Sequence, residues 1–309
     1  MKIFFEEMFF HPKPKHYLLM LLLLPLSLIY GLFMSIRRIS STRYKFGLPI
    51  VSVGNLVVGG SGKTPFVIAL ASRFQDVAVI SRGYGRLSKG LVEVSHKGKI
   101  VCSVEQSGDE PMLMANSLPN SSVIVSENRE TAIEFSKKQG AKVIFLDDGF
   151  NRVNIDKFEL LLSPKESRNL LPFPAGPYRE FFFNKKYADV VAKEGRDFSR
   201  VVEIQDETER MVLVTAISNP SRLDEYLPQD VVAKVYLEDH AYFEESVLKR
   251  ILKENSATSL LCTSKDRVKM DHFDLPISEM KLKLKIDNGI IEKIEDYIYA
   301  KQGSYIDER

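Results

Sequence analysis

The segment Gly59-Gly60-Ser61-Gly62-Lys63-Thr64 lies between an apolar β-run at 50–53 and a helical pattern at 64–74. Glycines let backbone N–H groups approach phosphate oxygens, and the N-terminus of the following helix favours negative charge. Lys63 would then reach the terminal phosphates, and Thr64 would offer its hydroxyl to Mg²⁺. The usual spacing G-x-x-x-x-G-K-[ST] asks for glycine at position 57, where this chain has Val57. A purely structural glycine-rich turn is the alternative. The strand–turn–helix setting favours nucleotide binding through Gly59, Gly60, Ser61, Gly62, Lys63 and Thr64.

The pattern around this loop repeats its strand–helix alternation. β-type runs at 77–80, 123–125, 143–146 and 158–162 are interleaved with helical stretches opening at Glu110-Pro111 and covering 129–139. Runs at 92–94 and 100–101 flank His96-Lys97-Gly98-Lys99 as a hairpin. Such alternation implies a parallel sheet with helices on both faces. The expected fold is α/β: a P-loop NTPase-like, mostly parallel sheet flanked by helices, a smaller C-terminal α/β subdomain and an N-terminal hydrophobic helix. The expected organisation is a membrane-associated helix over 1–48, a nucleotide-binding core over 49–165, and a part over 166–309 that completes the core and forms the subdomain. The Lys-, Asp- and Glu-rich end of the chain reads as a solvated face.

Residues 16–36 read HYLLMLLLLPLSLIYGLFMSI, with no acidic or basic side chain after the initial histidine. As a helix this stretch reaches ~30 Å, about one hydrocarbon core. It is too long for the apolar region of a cleaved signal peptide, and no small-residue cleavage site follows it. Pro25 and Gly31 interrupt it, so a kinked helix lying in one leaflet competes with a true span. Arg37, Arg38, Arg43 and Lys45 follow, a flank that would keep the rest of the chain on the cytoplasmic side. All-round hydrophobicity disfavours a buried core helix.

Composition narrows the function classes. Lys and Arg number 43 against 41 Asp and Glu, so the net charge of +2 lacks the basic excess of a dedicated nucleic-acid binder. With 44% hydrophobic and 27% charged residues, the 309-residue chain is neither disordered nor a polytopic membrane protein. Two cysteines without metal or C-x-x-C spacing point to a reducing compartment rather than a disulfide scaffold.

Other segments carry candidate chemistry. Asp147 and Asp148 end an apolar strand, where a carboxylate in a phosphate-loop protein helps hold the metal; a turn or cap is the plain alternative. Asp109, in Ser107-Gly108-Asp109-Glu110-Pro111, is either a helix cap or a carboxylate that takes the proton of an attacking hydroxyl. His240, in Asp239-His240, would tune or relay that proton if the two met, though spacing alone does not bring them together. Arg82, in Ser81-Arg82-Gly83-Tyr84, and Arg179, in Pro174-Ala175-Gly176-Pro177-Tyr178-Arg179-Glu180, are either surface charges or bidentate phosphate clamps. Thr263-Ser264-Lys265-Asp266 lacks the N-K-x-D spacing of a guanine-reading loop, which removes the main support for a GTPase.

Taken in order, these segments resemble the tetraacyldisaccharide 4′-kinase family, the lipid A 4′-kinases. The resemblance covers most of the chain after residue 49 and rests on Ser52-Val53-Gly54-Asn55 with the glycine-rich loop, Ser81 to Tyr84, Gly108 to Pro111, Leu146-Asp147-Asp148-Gly149-Phe150, Pro174 to Pro177 with Arg179-Glu180, Asp239-His240, and Thr263 to Asp266. The family's loop also lacks the first glycine, which accounts for Val57. Asn151 and Arg152 depart from the family's Gln-His, and Ala216-Ile217-Ser218-Asn219-Pro220 follows its Gly-Ile-Gly-Asn-Pro only loosely. The resemblance implies transfer of the ATP γ-phosphate to the 4′-hydroxyl of a lipid-linked glucosamine disaccharide. It implies phosphate and metal contacts for Lys63 and Thr64, Mg²⁺ contacts for Asp147 and Asp148, and a catalytic Asp109–His240 pair. Arg82 and Arg179 would be active-site arginines, and Arg129 matches a further family arginine. The cofactors are then ATP and Mg²⁺, and the partners a lipid A disaccharide precursor and the inner membrane surface, with no nucleic acid and no obligate protein partner. The expected location is the cytoplasmic face of the bacterial inner membrane. The rival from another class is a membrane-bound P-loop ATPase acting as a switch or partitioning protein, though Val57-Val58-Gly59 offers no early loop lysine of that class. A structural anchor with a vestigial nucleotide fold is a third reading.

Overall fold

The computed structural model describes residues 2–59, 62–164 and 167–307. The chain begins with α1 (Lys2–Phe10), α2 (Pro14–Ser40), β1 (Ile50–Asn55), α3 (Lys63–Ala71), β2 (Val77–Ser81), β3 (Val92–His96) and β4 (Lys99–Ile100). It continues through α4 (Val104–Ser107), α5 (Asp109–Ser117), β5 (Ser122–Val125), α6 (Arg129–Lys138), β6 (Val143–Asp147), β7 (Phe158–Ser163) and β8 (Val190–Lys193). The remaining elements are β9 (Phe198–Gln205), β10 (Met211–Thr215), β11 (Val231–Tyr236), α7 (Glu245–Glu254), β12 (Ser259–Thr263), α8 (Ser264–Arg267), β13 (Ile277–Ile286) and α9 (Asn288–Asp307). The class is the expected one: mostly parallel sheet flanked by helices, further α/β structure in the C-terminal part, and an apolar N-terminal helix. Two compact units share the chain, one from 1–63, 142–199 and 286–309, the other from 64–141 and 200–285.

In the first unit four parallel strands run in the order β6-β1-β7-β8. Every residue of β1 and β6 is buried, as expected of parallel strands covered on both faces. Gly54 is required where it stands, because a Cβ there would lie 2.5 Å from the Cβ of Phe150. Lys157 and Glu159 form a buried ion pair of 2.6 Å, and Lys157 Nζ also donates to the carbonyls of Arg152 and Ile155. Burial pushes the Lys157 ammonium down and the Glu159 carboxyl up, each opposed by the charge of the other. The end of the chain is not the solvated face read from its charges. It forms α9, whose Ile290, Ile294 and Ile298 are buried at four-residue spacing, with Tyr297 against the ring of Phe158.

α2 belongs to the same unit and carries Pro25 inside a continuous helix. Ser27, Gly31, Met34 and Arg38 recur every three or four residues and are buried. The amide of Ala175 donates to Ser27 Oγ at 2.8 Å, and Gly31 lies so close to Phe181 that a Cβ would sit 2.7 Å from its ring. The other faces present Leu18, Leu22, Ile29, Leu32 and Phe33, all more than half exposed. An apolar surface of this extent is costly in water and marks contact with another apolar phase or partner.

In the second unit β2 and β5 are parallel, and β3 and β4 extend that sheet antiparallel at its edge. A separate sheet has the order β11-β10-β12-β13-β9, with β11, β10, β12 and β13 mutually parallel. Val212, Val214, Leu260 and Cys262 from its central strands pack with Phe243, Leu248 and Met270.

Candidate active site

In the first unit a cluster of charged side chains gathers at the C-terminal ends of β1 and β6. Lys63 opens α3, and its Nζ donates to Asn55 Oδ1 at 3.2 Å and lies 3.6 Å from Asp148 Oδ1. Arg179 Nη1 meets both Asp148 oxygens, at 3.0 and 2.8 Å. Asp147 is the last residue of β6 and is buried. Asp148 follows with φ of 54°, a left-handed backbone that a non-glycine residue adopts only under constraint; its amide donates to the Val53 carbonyl. Residues 56–58 pair with 177–179: Val58 N–H donates to Pro177 and Arg179 N–H to Leu56. Val57 packs on Phe150, Leu161 and Tyr178, so the position where the usual motif has glycine serves here as core.

Gly59 and Gly62 have positive φ on either side of Gly60 and Ser61, which lie outside the described residues. Thr64 is buried in the first turn of α3. Among the described residues no group of three or more His, Cys, Asp or Glu is arranged to hold a metal. The donor set suits Mg²⁺ in another way, since that ion takes one or two carboxylates, such as Asp147 and Asp148, together with substrate phosphate oxygens.

The second unit brings Asp109 and His240 together, although they are far apart in sequence. His240 Nδ1 is 3.1 and 2.9 Å from the two Asp109 oxygens. Gly108 caps α5, so Asp109 is its first residue rather than its cap, and Asp109 Oδ1 also accepts the Glu110 amide. His240 has φ of 63°, and its own amide donates to the Ala216 carbonyl. Burial raises the Asp109 carboxyl, but the His240 hydrogen bond and the Lys265 and Lys269 charges outweigh it and hold the group below its ordinary value. The Asp109 hydrogen bond raises the His240 imidazole against the opposing effect of burial.

Sequence reasoning gave no role to three side chains beside this pair. Lys265 Nζ is 3.1 Å from Glu110 and 3.7 Å from Asp109. Lys269 Nζ donates to the Ala241 carbonyl and lies 3.4 Å from Asp266 and 3.9 Å from Asp109. Asp266 itself is fully buried and accepts from the Thr215 and Thr263 hydroxyls and the Ala216 amide. Lys265 lies in α8 and Lys269 two residues beyond its end, so no helical periodicity in the sequence marks the two as neighbours. The Tyr84 ring lies 5.5 Å from the His240 ring, tilted by 54°, and is exposed, as is Arg82 in the same loop. Arg129, by contrast, is buried and donates to the Ser126 carbonyl.

The family model for LpxK, tetraacyldisaccharide-1-P 4′-kinase, matches residues 19–299. The chain belongs to the tetraacyldisaccharide 4′-kinase family. It is a kinase, and its relatives bear the same family name. The tetraacyldisaccharide 4′-kinase of Helicobacter acinonychis (strain Sheeba) is 48% identical over 97% of this chain and 96% of its own length. That of Aliarcobacter butzleri (strain RM4018) is 44% identical over 93% of this chain and 94% of its own. The crystal structure of LpxK from Aquifex aeolicus in complex with ATP matches with a TM-score of 0.76 and 29% identity, over 92% of this chain and 99% of that one.

Proposed function

We propose that the chain transfers the γ-phosphate of ATP to the 4′-hydroxyl of a tetraacyl glucosamine disaccharide 1-phosphate, forming lipid IV-A in lipid A biosynthesis. The observation that carries a hydroxyl acceptor, as against water alone, is the hydrogen-bonded Asp109–His240 pair. A sugar hydroxyl is a poor nucleophile near neutral pH, and a positioned carboxylate–imidazole pair removes its proton as the bond to phosphorus forms. Phosphoryl transfer otherwise asks for positioning and charge stabilisation. Lys63 and Arg179 supply positive charge at the phosphates, with Arg82 as a further clamp, and the loop from Gly59 to Thr64 supplies backbone donors. Asp147, Asp148 and Thr64 are the residues that would hold Mg²⁺. When bound, the ion would neutralise charge on the phosphate oxygens. The nucleotide end draws on the expected core over 49–165 and on Arg179 beyond it.

The acceptor's acyl chains account for α2. One face of residues 27–38 is held along the first unit while Ile29 and Phe33 stay exposed on the others, so beyond Ser27 the helix can meet lipid only edge-on, and only the part before Ser27 is left to cross a bilayer. That part reaches ~20 Å, short of a ~30 Å hydrocarbon core. A helix lying in one leaflet at the cytoplasmic face of the inner membrane fits this better than a span. Replacing exposed Leu22 and Ile29 together by Asn is expected to weaken vesicle binding roughly 100-fold, at about 1.5 kcal/mol for each apolar side chain withdrawn from lipid. Flotation with lipid vesicles reads this directly, and undiminished binding would contradict the assignment. The catalytic reading is tested by ADP formation with and without the tetraacyl disaccharide 1-phosphate. Acceptor-dependent ADP supports the kinase, and equal rates support the ATPase switch.

A further inference from the structure

Arg38 is not a surface charge: its side chain is 3% exposed and that of Glu180 2%. Its Nε and Nη2 form a fork on the two Glu180 oxygens at 2.9 and 2.7 Å, and Nη2 also donates to the Phe150 carbonyl at 3.0 Å. The guanidinium lies 4.2 Å from the centre of the Phe150 ring. Arg37 adds a bond to the Asn151 carbonyl, and Asn184 donates to Glu180 from the other side. The two anchored segments are those that carry Asp148 and Arg179, which pair with each other. Phe150 and Asn151 lie two and three residues after Asp148, and Glu180 follows Arg179. Phe150 also packs on Leu56 and Val57, which lead into the glycine-rich loop.

We propose that Arg38, on the apolar N-terminal helix, is a positioning residue for the nucleotide end, holding the Asp148 loop and the Arg179 segment in place through Phe150 and Glu180. The proposal rests on the reading of Lys63, Asp148 and Arg179 as a nucleotide site. On this account α2 is part of the wall of that site as well as an anchor. Lysine at position 38 keeps the charge but cannot reproduce the planar fork, the stacking on Phe150 and the carbonyl bond together.

The experiment uses the full chain in detergent, so that membrane attachment plays no part. Arg38→Lys, Glu180→Gln and the Leu22→Asn/Ile29→Asn pair are compared with the parent protein by ATP affinity, KM for each substrate, and thermal melting. Arg38→Lys is expected to weaken ATP binding roughly 10- to 100-fold, the scale of a lost charge-assisted contact, and to raise KM for ATP while KM for the lipid acceptor stays put. A merely structural role would lower the melting temperature and the active fraction without separating the two KM values. Should Arg38→Lys fail to fold, Glu180→Gln keeps the side-chain shape while removing the balancing charge and one acceptor of the fork; ATP affinity and KM are then read on its folded protein well below its melting temperature, where the same split in KM is expected. The Leu22→Asn/Ile29→Asn protein, whose vesicle binding is weakened in flotation, should bind ATP normally in detergent. Parent-like ATP affinity in folded Arg38→Lys or Glu180→Gln would overturn the proposal. Failure of the parent protein to bind ATP would overturn the nucleotide-site reading beneath it.

Discussion

Lys63→Met is expected to lower phosphoryl transfer by about 10²- to 10³-fold, the loss seen when one preorganised charge or donor is withdrawn from a transition state. Lys63 is held for the task from two sides, by Asn55 Oδ1 and by Asp148, at the first turn of α3. Without nucleotide its ammonium balances Asp148; phosphate oxygens would replace that partner. Stability should change little, because Arg179 still pairs with Asp148 and no carboxylate is left uncompensated. Steady-state kinetics beside a thermal melt checks both halves. A large loss of activity with an unchanged melt supports the assignment, and near-parent turnover contradicts it.

Asp109→Asn should cost about 10²- to 10⁴-fold in kcat, the range for a positioned general base. Its signature beyond lost rate is the pH profile. Asp109 raises the His240 imidazole above its ordinary 6.5, so the acid limb of kcat/KM should lie above that value in the parent protein. In Asp109→Asn the limb should fall back toward the ordinary imidazole value, so the residual activity develops at lower pH. Linkage gives the matching stability window. The raised imidazole contributes fully below 6.5, and its contribution disappears as pH rises through the higher folded value. The lowered carboxyl contributes fully above 3.8, and its contribution disappears as pH falls through the lower folded value. The pair therefore stabilises the fold most between those two ordinary values. An unshifted acid limb in Asp109→Asn would contradict the pairing.

The parts of the fold legible in the sequence were those set by local periodicity and glycine placement. The apolar runs of β1 and β6 end at Asn55 and Asp147, beside the cluster of Lys63, Asp148 and Arg179. What local pattern does not encode is which distant segments meet. The Asp109–His240 contact depends on the Ala216 carbonyl receiving the His240 amide, and on Asp266 receiving the Ala216 amide in turn. Lys265 lies in a helix only four residues long and Lys269 beyond its end, too short a stretch to show a periodicity. Arg38 was misread for a different reason. Beside a long apolar helix an arginine reads as a membrane flank, and only a distant carboxylate, Glu180, makes its burial affordable. The charge-rich end of the chain misled similarly, since three isoleucines one turn apart fix the buried face of α9 whatever surrounds them.

The most direct test of the central claim follows the phosphorus atom. Detergent-solubilised protein is given γ-labelled ATP, Mg²⁺ and the tetraacyl disaccharide 1-phosphate, and the lipid product is isolated for mass spectrometry and phosphorus NMR. The account predicts a new labelled phosphate monoester on the 4′-oxygen, formed only with active protein and absent with Lys63→Met. Labelled inorganic phosphate released at one rate with or without the lipid, and an unmodified disaccharide, would contradict it.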